Sequence, residues 1–183
     1  MKLPTDSEIR DLHAQYAPTR EAFELVHTHC QIVCDLAEQL IARNNLAVDV
    51  DLVRAGSLLH DIGVYQLDGS GYLRHGVLGH ELLQELGFPE ELCRFCSHHT
   101  GVGLSREDVV RQNLPIPPGD YLAETAEEEL VMYADKFHSK TTPPKFVTAA
   151  EYQTSVLRFG ADKASRFAGL VDQYGEPELP LLS

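Results

Sequence analysis

The stretch Leu58-Leu59-His60-Asp61-Ile62-Gly63 sets a histidine and an aspartate between apolar neighbours, at the end of a run that reads as a helix. A carboxylate in such surroundings needs a partner, because an isolated buried charge is strongly unfavourable. A metal ion is one partner, and an arginine such as Arg54 is the ordinary alternative. Adjacent helical residues point about 100° apart and usually serve different neighbours. At a helix C-terminus, however, both can lean over the end and grip one cation, which the negative end of the helix dipole helps to hold.

Working outward from this stretch, the pattern is helical almost throughout, and the fold class expected is all-α. A first helix covers Ser7 to Tyr16, ahead of Pro18. The next runs from Arg20 to Arg43, with Leu25, Ile32, Leu36 and Leu40 on one face and Thr28, Gln31, Asp35, Glu38 and Gln39 on the other. A third spans Val50 to Ile62, with Gly63 placed to end it in a left-handed conformation. After the glycine loop Asp68–Tyr72, a helix from His75 to Leu86 stops at Gly87, and Phe88-Pro89-Glu90-Glu91 opens another. Arg111 to Asp120 reads as a loop. Thr125 to Glu128 fits a capping box for a helix to Lys140, ended by Thr141-Thr142-Pro143-Pro144. A last long helix covers Thr148 to Tyr174. No strand pattern, repeat or low-complexity tract stands out, so residues 1–183 read as one domain.

Composition narrows the functional classes. The formal charge of −13 disfavours sequence-independent nucleic-acid binding, since phosphate backbones would repel the chain. No apolar run approaches the ~20 residues of a membrane span, and the N-terminus carries no apolar signal segment. A soluble, cytoplasmic protein is therefore expected. In a reducing compartment Cys30, Cys34, Cys93 and Cys96 read as buried apolar residues. Their spacing, one helical turn within each pair, also allows a structural zinc site with four thiolates.

The placement of the nine histidines says more than their number. His29 lies on the apolar stripe of its helix, where the plain reading is a neutral ring bonded to a carbonyl. Asp135 interrupts the apolar run Leu130–Ala134 as abruptly as Asp61 interrupts its own. Two core-facing histidines and two carboxylates from separated helices make an N/O set suited to a divalent ion. His75 and His99 also fall on apolar faces and suggest a second ion. His98 is a substrate contact or alternate ligand, whereas His13, His27, His80 and His138 read as packing or surface residues.

The spacing His29…His60-Asp61-Ile62-Gly63…Asp135 closely resembles the HD superfamily of metal-dependent phosphohydrolases over residues 20 to 140. His29-x-x-x-Val33 is similar to the family's first-histidine segment. His75-Gly76-Val77-Leu78-Gly79 and His99-Thr100-Gly101-Val102-Gly103 resemble the added histidine segments of its two-metal branches. The chain is most similar to small stand-alone proteins with the HDIG motif, usually described only as predicted hydrolases. The resemblance implies a bundle of about five core helices with additional terminal helices. Two departures stand out. Gly63-Val64-Tyr65 lacks the lysine that often follows the motif glycine, and the Gly-Tyr-Pro signature of the cyclic-dinucleotide branch is absent.

The mechanism expected is hydrolysis of a nucleotide or other phosphate ester or anhydride at a dinuclear site with a bridging hydroxide. Asp61 would bridge, His29, His60 and Asp135 would complete the first ion, and His75 and His99 would hold the second; Fe, Mn, Co, Ni, Zn and Mg are all admitted. His60, Asp61 and Lys136 are the catalytic candidates, and Arg74, His98 and Lys136 the substrate-binding ones. Further specificity is expected from residues 69–71, the 101–121 loop and the segment after Lys136, which carry Arg106, Arg111, Lys140 and Lys145. The alternatives are a mononuclear nucleotidase and a non-catalytic module sensing a nucleotide or metal. The expected partner is a small phosphorylated molecule, and a homodimer is allowed.

Overall fold

The computed structural model describes residues 3–69 and 71–180. Short polar side chains start most of its helices. Thr5 caps α1 (Asp6–Tyr16) and forms a capping box with Glu8, and Thr19 caps α2 (Arg20–Asn44). Asn45, at φ 50°, closes α2. Asp49 caps α3 (Val50–Leu59) through the amide of Leu52. Next come α4 (His75–Glu85), α5 (Glu90–Ser97) and α6 (Arg106–Arg111), then α7 (Ala126–Asp135). The remaining elements are β1 (His138–Ser139), β2 (Lys145–Phe146), α8 (Ala149–Val156) and α9 (Ala161–Tyr174). No helix among the described residues is long and apolar enough to cross a membrane.

Among the described residues the chain is all-α apart from a hairpin of two two-residue strands and an isolated bridge between Leu104 and Tyr121. The long helix α2 buries Val26, Cys30, Val33, Ala37 and Leu40. It lies against α3 and α7, while α5 packs on α3 and α4. At the C-terminal side the Phe167 ring meets Tyr152 at 4.6 Å and Tyr133 at 5.8 Å, joining α9 to α8 and α7. The apolar helix faces thus meet in one core, with the ends of α3 and α7 opening beside the middle of α2.

Several local readings of the sequence need correction. The helix expected to reach Ile62 ends at Leu59 and continues as a 3-10 turn over Ile62–Gln66. Gly63 lies inside that turn without a left-handed φ. It is glycine because α4 passes so close that a Cβ would stand 2.0 Å from the His75 carbonyl oxygen and 2.3 Å from the Gly79 nitrogen. The helix expected to reach Lys140 stops at Asp135, because residues 138–139 pair with 145–146 as antiparallel strands too short to leave a periodic signature. Its capping box is half formed. Thr125 accepts from the Glu128 amide, but the Glu128 carboxylate accepts from the Glu124 amide and pairs with Arg94.

The last long helix is two helices, divided by a 3-10 turn over Leu157–Phe159 and by Gly160 at φ 132°. The 101–121 loop contains α6, started by a Ser105–Asp108 capping box. Within the glycine loop, Ser70 lies outside the described residues.

Candidate metal centre

Six of the expected site residues come together where α2, α3, α4, α5 and α7 meet. His60 caps the C-terminus of α3 and Asp61 follows it, while His75 is the first residue of α4. His99 lies two residues beyond α5, and Asp135 is the last residue of α7. His29, from the middle of α2, places Nε2 2.9 Å from Asp135 Oδ1 and 3.2 Å from Asp61 Oδ2. His60 Nε2 is 3.5 Å from each of those two oxygens. On the other side, His75 and His99 set their Nε2 atoms 3.4 and 3.5 Å from Asp61 Oδ1, and 2.9 Å from each other.

The backbone fixes which ring nitrogen faces inward. His60 Nδ1 donates to the Ser57 carbonyl at 2.7 Å, His75 Nδ1 to Tyr72 at 2.6 Å, and His99 Nδ1 to Phe95 at 3.0 Å. Each ring therefore keeps its proton on Nδ1 and presents an Nε2 lone pair to the interior. Lone pairs facing carboxylate oxygens repel one another unless a cation lies among them. The donors form two groups, His29/His60/Asp61/Asp135 and Asp61/His75/His99, and within each the ligand atoms lie within 4.8 Å of one another. Asp61 is common to both, one oxygen in each, and its buried Oδ1 has no hydrogen-bond partner. This N/O set and its orphaned oxygen fit divalent cations, and these residues could hold them.

The HD domain family matches residues 26–140, a span that contains all six converging residues. The chain belongs to the HD domain family.

Relatives of this HD domain include an uncharacterized protein of Methanocaldococcus jannaschii, 44% identical over 115 residues, or 61% of this chain and 65% of that one. Two tRNA (cytidine(56)-2'-O)-methyltransferases also match. That of Thermoplasma volcanium is 33% identical over 73% of this chain, and that of Picrophilus torridus is 32% identical over 66%. The chain spans only 36% and 33% of the length of these two methyltransferases. Among solved structures, the HD domain of the L. monocytogenes phosphodiesterase PgpH superposes with a TM-score of 0.55 at 17% identity. The alignment covers 94% of this chain and 89% of that one. The same domain in complex with cyclic-di-AMP gives a TM-score of 0.51 at 16% identity, covering 94% and 99%. The fold is thus shared with both.

Electrostatics in this HD domain keep the donors ready. Burial alone would raise the Asp61 carboxyl, but Lys140 and His60 hold it well below the usual carboxylate range. Asp135 is likewise held low against its burial, chiefly by Lys136. Burial lowers His75, and lowers His99 to about 4, so both are neutral near pH 7, the form that ligates. His60 moves the other way, since Asp61 outweighs its burial, so this ring gives up a proton before its Nε2 can ligate.

Other expected residues lie elsewhere. His98 faces Glu128, with Nδ1 3.6 Å from Oε2, and lines a separate cavity of about 450 Å³ with Arg94 and Tyr121. Arg74 ends the 3-10 turn Tyr72–Arg74 and is not among the residues lining the cleft above Asp135. Lys136 is buried, with Nζ 2.6 Å from Asp135 Oδ2 and 2.9 Å from the His99 carbonyl. It ties the two donor groups together rather than reaching outward. Arg106 and Arg111 bond within their own segment, to Pro118 and Asp108. Arg54 pairs with Asp6 and Glu38 and does not serve Asp61. The four cysteines are free and buried, and none joins a metal-ligand group among the described residues.

Two residues of the hairpin play other parts than the sequence suggested, where His138 read as a packing or surface residue and Lys140 only as a specificity candidate. His138 sets Nδ1 2.8 Å from His29 Nδ1, and Lys140 Nζ bonds Asp61 Oδ2. Burial lowers His138 to about 4, which suits it to accept the proton that His29 carries on Nδ1. That leaves His29 Nε2 free to ligate. A His-x-Lys pair before Thr141-Thr142-Pro143-Pro144 is the only sequence signal for this, because alternate residues of a strand share a face.

Proposed function

We propose that this HD domain is a metal-dependent phosphohydrolase acting on a nucleotide or another phosphate ester or anhydride. Two divalent cations would be held side by side across Asp61. The observation that carries this reading is one buried carboxylate giving an oxygen to each of two histidine-rich groups. Asp61 Oδ2, His29, His60 and Asp135 would hold one ion, and Asp61 Oδ1, His75 and His99 the other. Bound ions of this kind polarise a phosphoryl group and lower the pKa of water at the site.

The chain's own residues do the rest. The carbonyls of Ser57, Tyr72 and Phe95 hold three imidazoles in one tautomer, and His138 does the same for His29. Lys136 keeps Asp135 ionised and fixes the His99 segment. Lys140 reaches Asp61 from the cleft side, where its ammonium can meet a phosphoryl oxygen. A domain of the same fold takes cyclic-di-AMP, which supports a nucleotide as the ligand class. Methyl transfer is not carried over, because the chain spans about a third of the methyltransferases it matches.

The test is elemental analysis of protein purified without a metal-affinity column, beside Asp61→Ala, followed by a panel of phosphoanhydrides, phosphodiesters and monoesters. The expected result is about two transition-metal ions per chain, lost in the variant together with hydrolysis. A single ion would favour the mononuclear nucleotidase. No metal after reconstitution, or a folded Asp61→Ala protein with full activity, would overturn the proposal.

A further inference from the structure

A cleft of about 710 Å³ opens beside the metal-ligand groups, with Asp135 in its wall. Its lining concentrates cations: Lys136, Lys140, Lys145 and Arg158 stand against the carboxylates of Asp135 and Glu151. This is the reverse of the whole chain, which has 15 basic and 28 acidic residues. The four cations form two tiers. Lys136 and Lys140 are largely buried and bonded to Asp135 and Asp61, at the inner end. Lys145, on β2, and Arg158, in the 3-10 turn after α8, are exposed and enter no ion pair among the described residues. Arg158 lies 4.7 Å from the Phe159 ring, which supports its guanidinium without neutralising it. Glu151 caps α8 by accepting from the Thr148 amide and hydroxyl, and although Lys145 acts on its carboxylate through space, the two form no ion pair.

A phosphoryl group held at the metal ligands would sit beside this inner pair, where Lys140 is the cation placed to meet it. The outer pair faces the same cleft but stands on other segments, so it has nothing to bind in a ligand with a single phosphate. We infer that the cleft takes a ligand carrying at least two linked phosphate groups, one at the metal ligands and the next between Lys145 and Arg158. This rests on the phosphohydrolase reading for the inner group and adds the outer subsite to it. The diphosphate could belong to a nucleotide or to an inorganic chain. Tyr72, exposed on the rim with its ring 5.8 Å from Lys140 Nζ, offers a face on which a base can stack.

Calorimetric titration of the protein as purified decides the matter with ligands whose P–C bonds resist hydrolysis: α,β-methylene-ADP, methylenediphosphonate and methylphosphonate. Charge-assisted contacts to two cations predict that Lys145→Ala/Arg158→Ala weakens both diphosphonate-type ligands about tenfold or more, with methylphosphonate changed less than about twofold. The loss should shrink as salt rises. Both side chains are exposed, so the double variant should fold, which circular dichroism checks. Tighter binding of α,β-methylene-ADP than of methylenediphosphonate assigns the ligand to nucleotides, and equal binding assigns it to inorganic chains. Unchanged binding of both in the double variant, or no binding of either by the wild type, overturns the outer subsite. If that happened while hydrolysis persisted, the phosphohydrolase reading would stand. Variant-sensitive binding without hydrolysis of any ester would have the opposite meaning.

Discussion

His138 touches no carboxylate of the centre, yet it decides which nitrogen of His29 is free. Replacing it with alanine leaves His29 Nδ1 without its buried partner at 2.8 Å. Outer partners of this kind are commonly worth 10–100-fold in metal affinity, so His138→Ala should weaken binding by about that factor in a chelator competition. Unchanged affinity would remove His138 from the centre. His13 makes a different prediction. It is fully buried, donating from Nε2 to the Leu58 carbonyl at 2.8 Å and accepting at Nδ1 from Tyr65. Burial lowers it from 6.5 to about 4 in spite of the backbone bond. The unfolded chain therefore takes up the proton first. The stability contributed is complete above about pH 6.5 and is lost as pH falls towards 4, on the order of 3 kcal/mol at most. Denaturant unfolding between pH 7 and 4 should show a steeper loss in the wild type than in His13→Gln. At this scale six donors were legible, because each is a polar residue on an apolar helical stripe. The part of His138 and the bond from Lys140 to Asp61 were not, since a two-residue strand and the turn after it have no stripe to violate.

Elements meet the centre through small residues. The 3-10 turn after α3 and the N-terminal part of α4 touch at Gly63 and Gly79, which brings His75 beside Asp61. Gly63→Ala should cost about 1–3 kcal/mol by overpacking, and it should loosen the second ion more than the first. Gly169 in α9 is the control. A Cβ there meets nothing within 4 Å, so Gly169→Ala should raise stability by about 0.5–1 kcal/mol. If thermal melts moved both variants the same way, close approach would not be why Gly63 is glycine. The start of α7 was readable from Thr125, because capping is local chemistry, and α2 begins at Arg20 as its pattern suggested. The end of α3 and the break before α9 were not. One depends on α4 approaching from a distance, and the other on Gly160 adopting φ 132° inside an apolar pattern that reads as continuous.

For the whole molecule, the all-α architecture followed from periodicity and punctuation, but how far the centre depends on the C-terminal helices did not. Phe167 is fully buried among Tyr133, Phe137 and Tyr152, two of them on or just past α7. Phe167→Ala should cost about 3–5 kcal/mol and lower the transition of the entire chain, with metal released in that same transition. Metal release at a separate midpoint would show that α8 and α9 fold on their own. The hairpin carries a practical consequence for anyone shortening this protein. The family match stops at residue 140, between the two strands, so His138 and Lys140 fall inside that boundary and the strand that holds them falls outside. A fragment cut at the boundary would retain every expected ligand and still lose the ladder that aims two side chains at them. The smallest piece that keeps the centre's geometry is therefore longer than the piece that carries the family's signature.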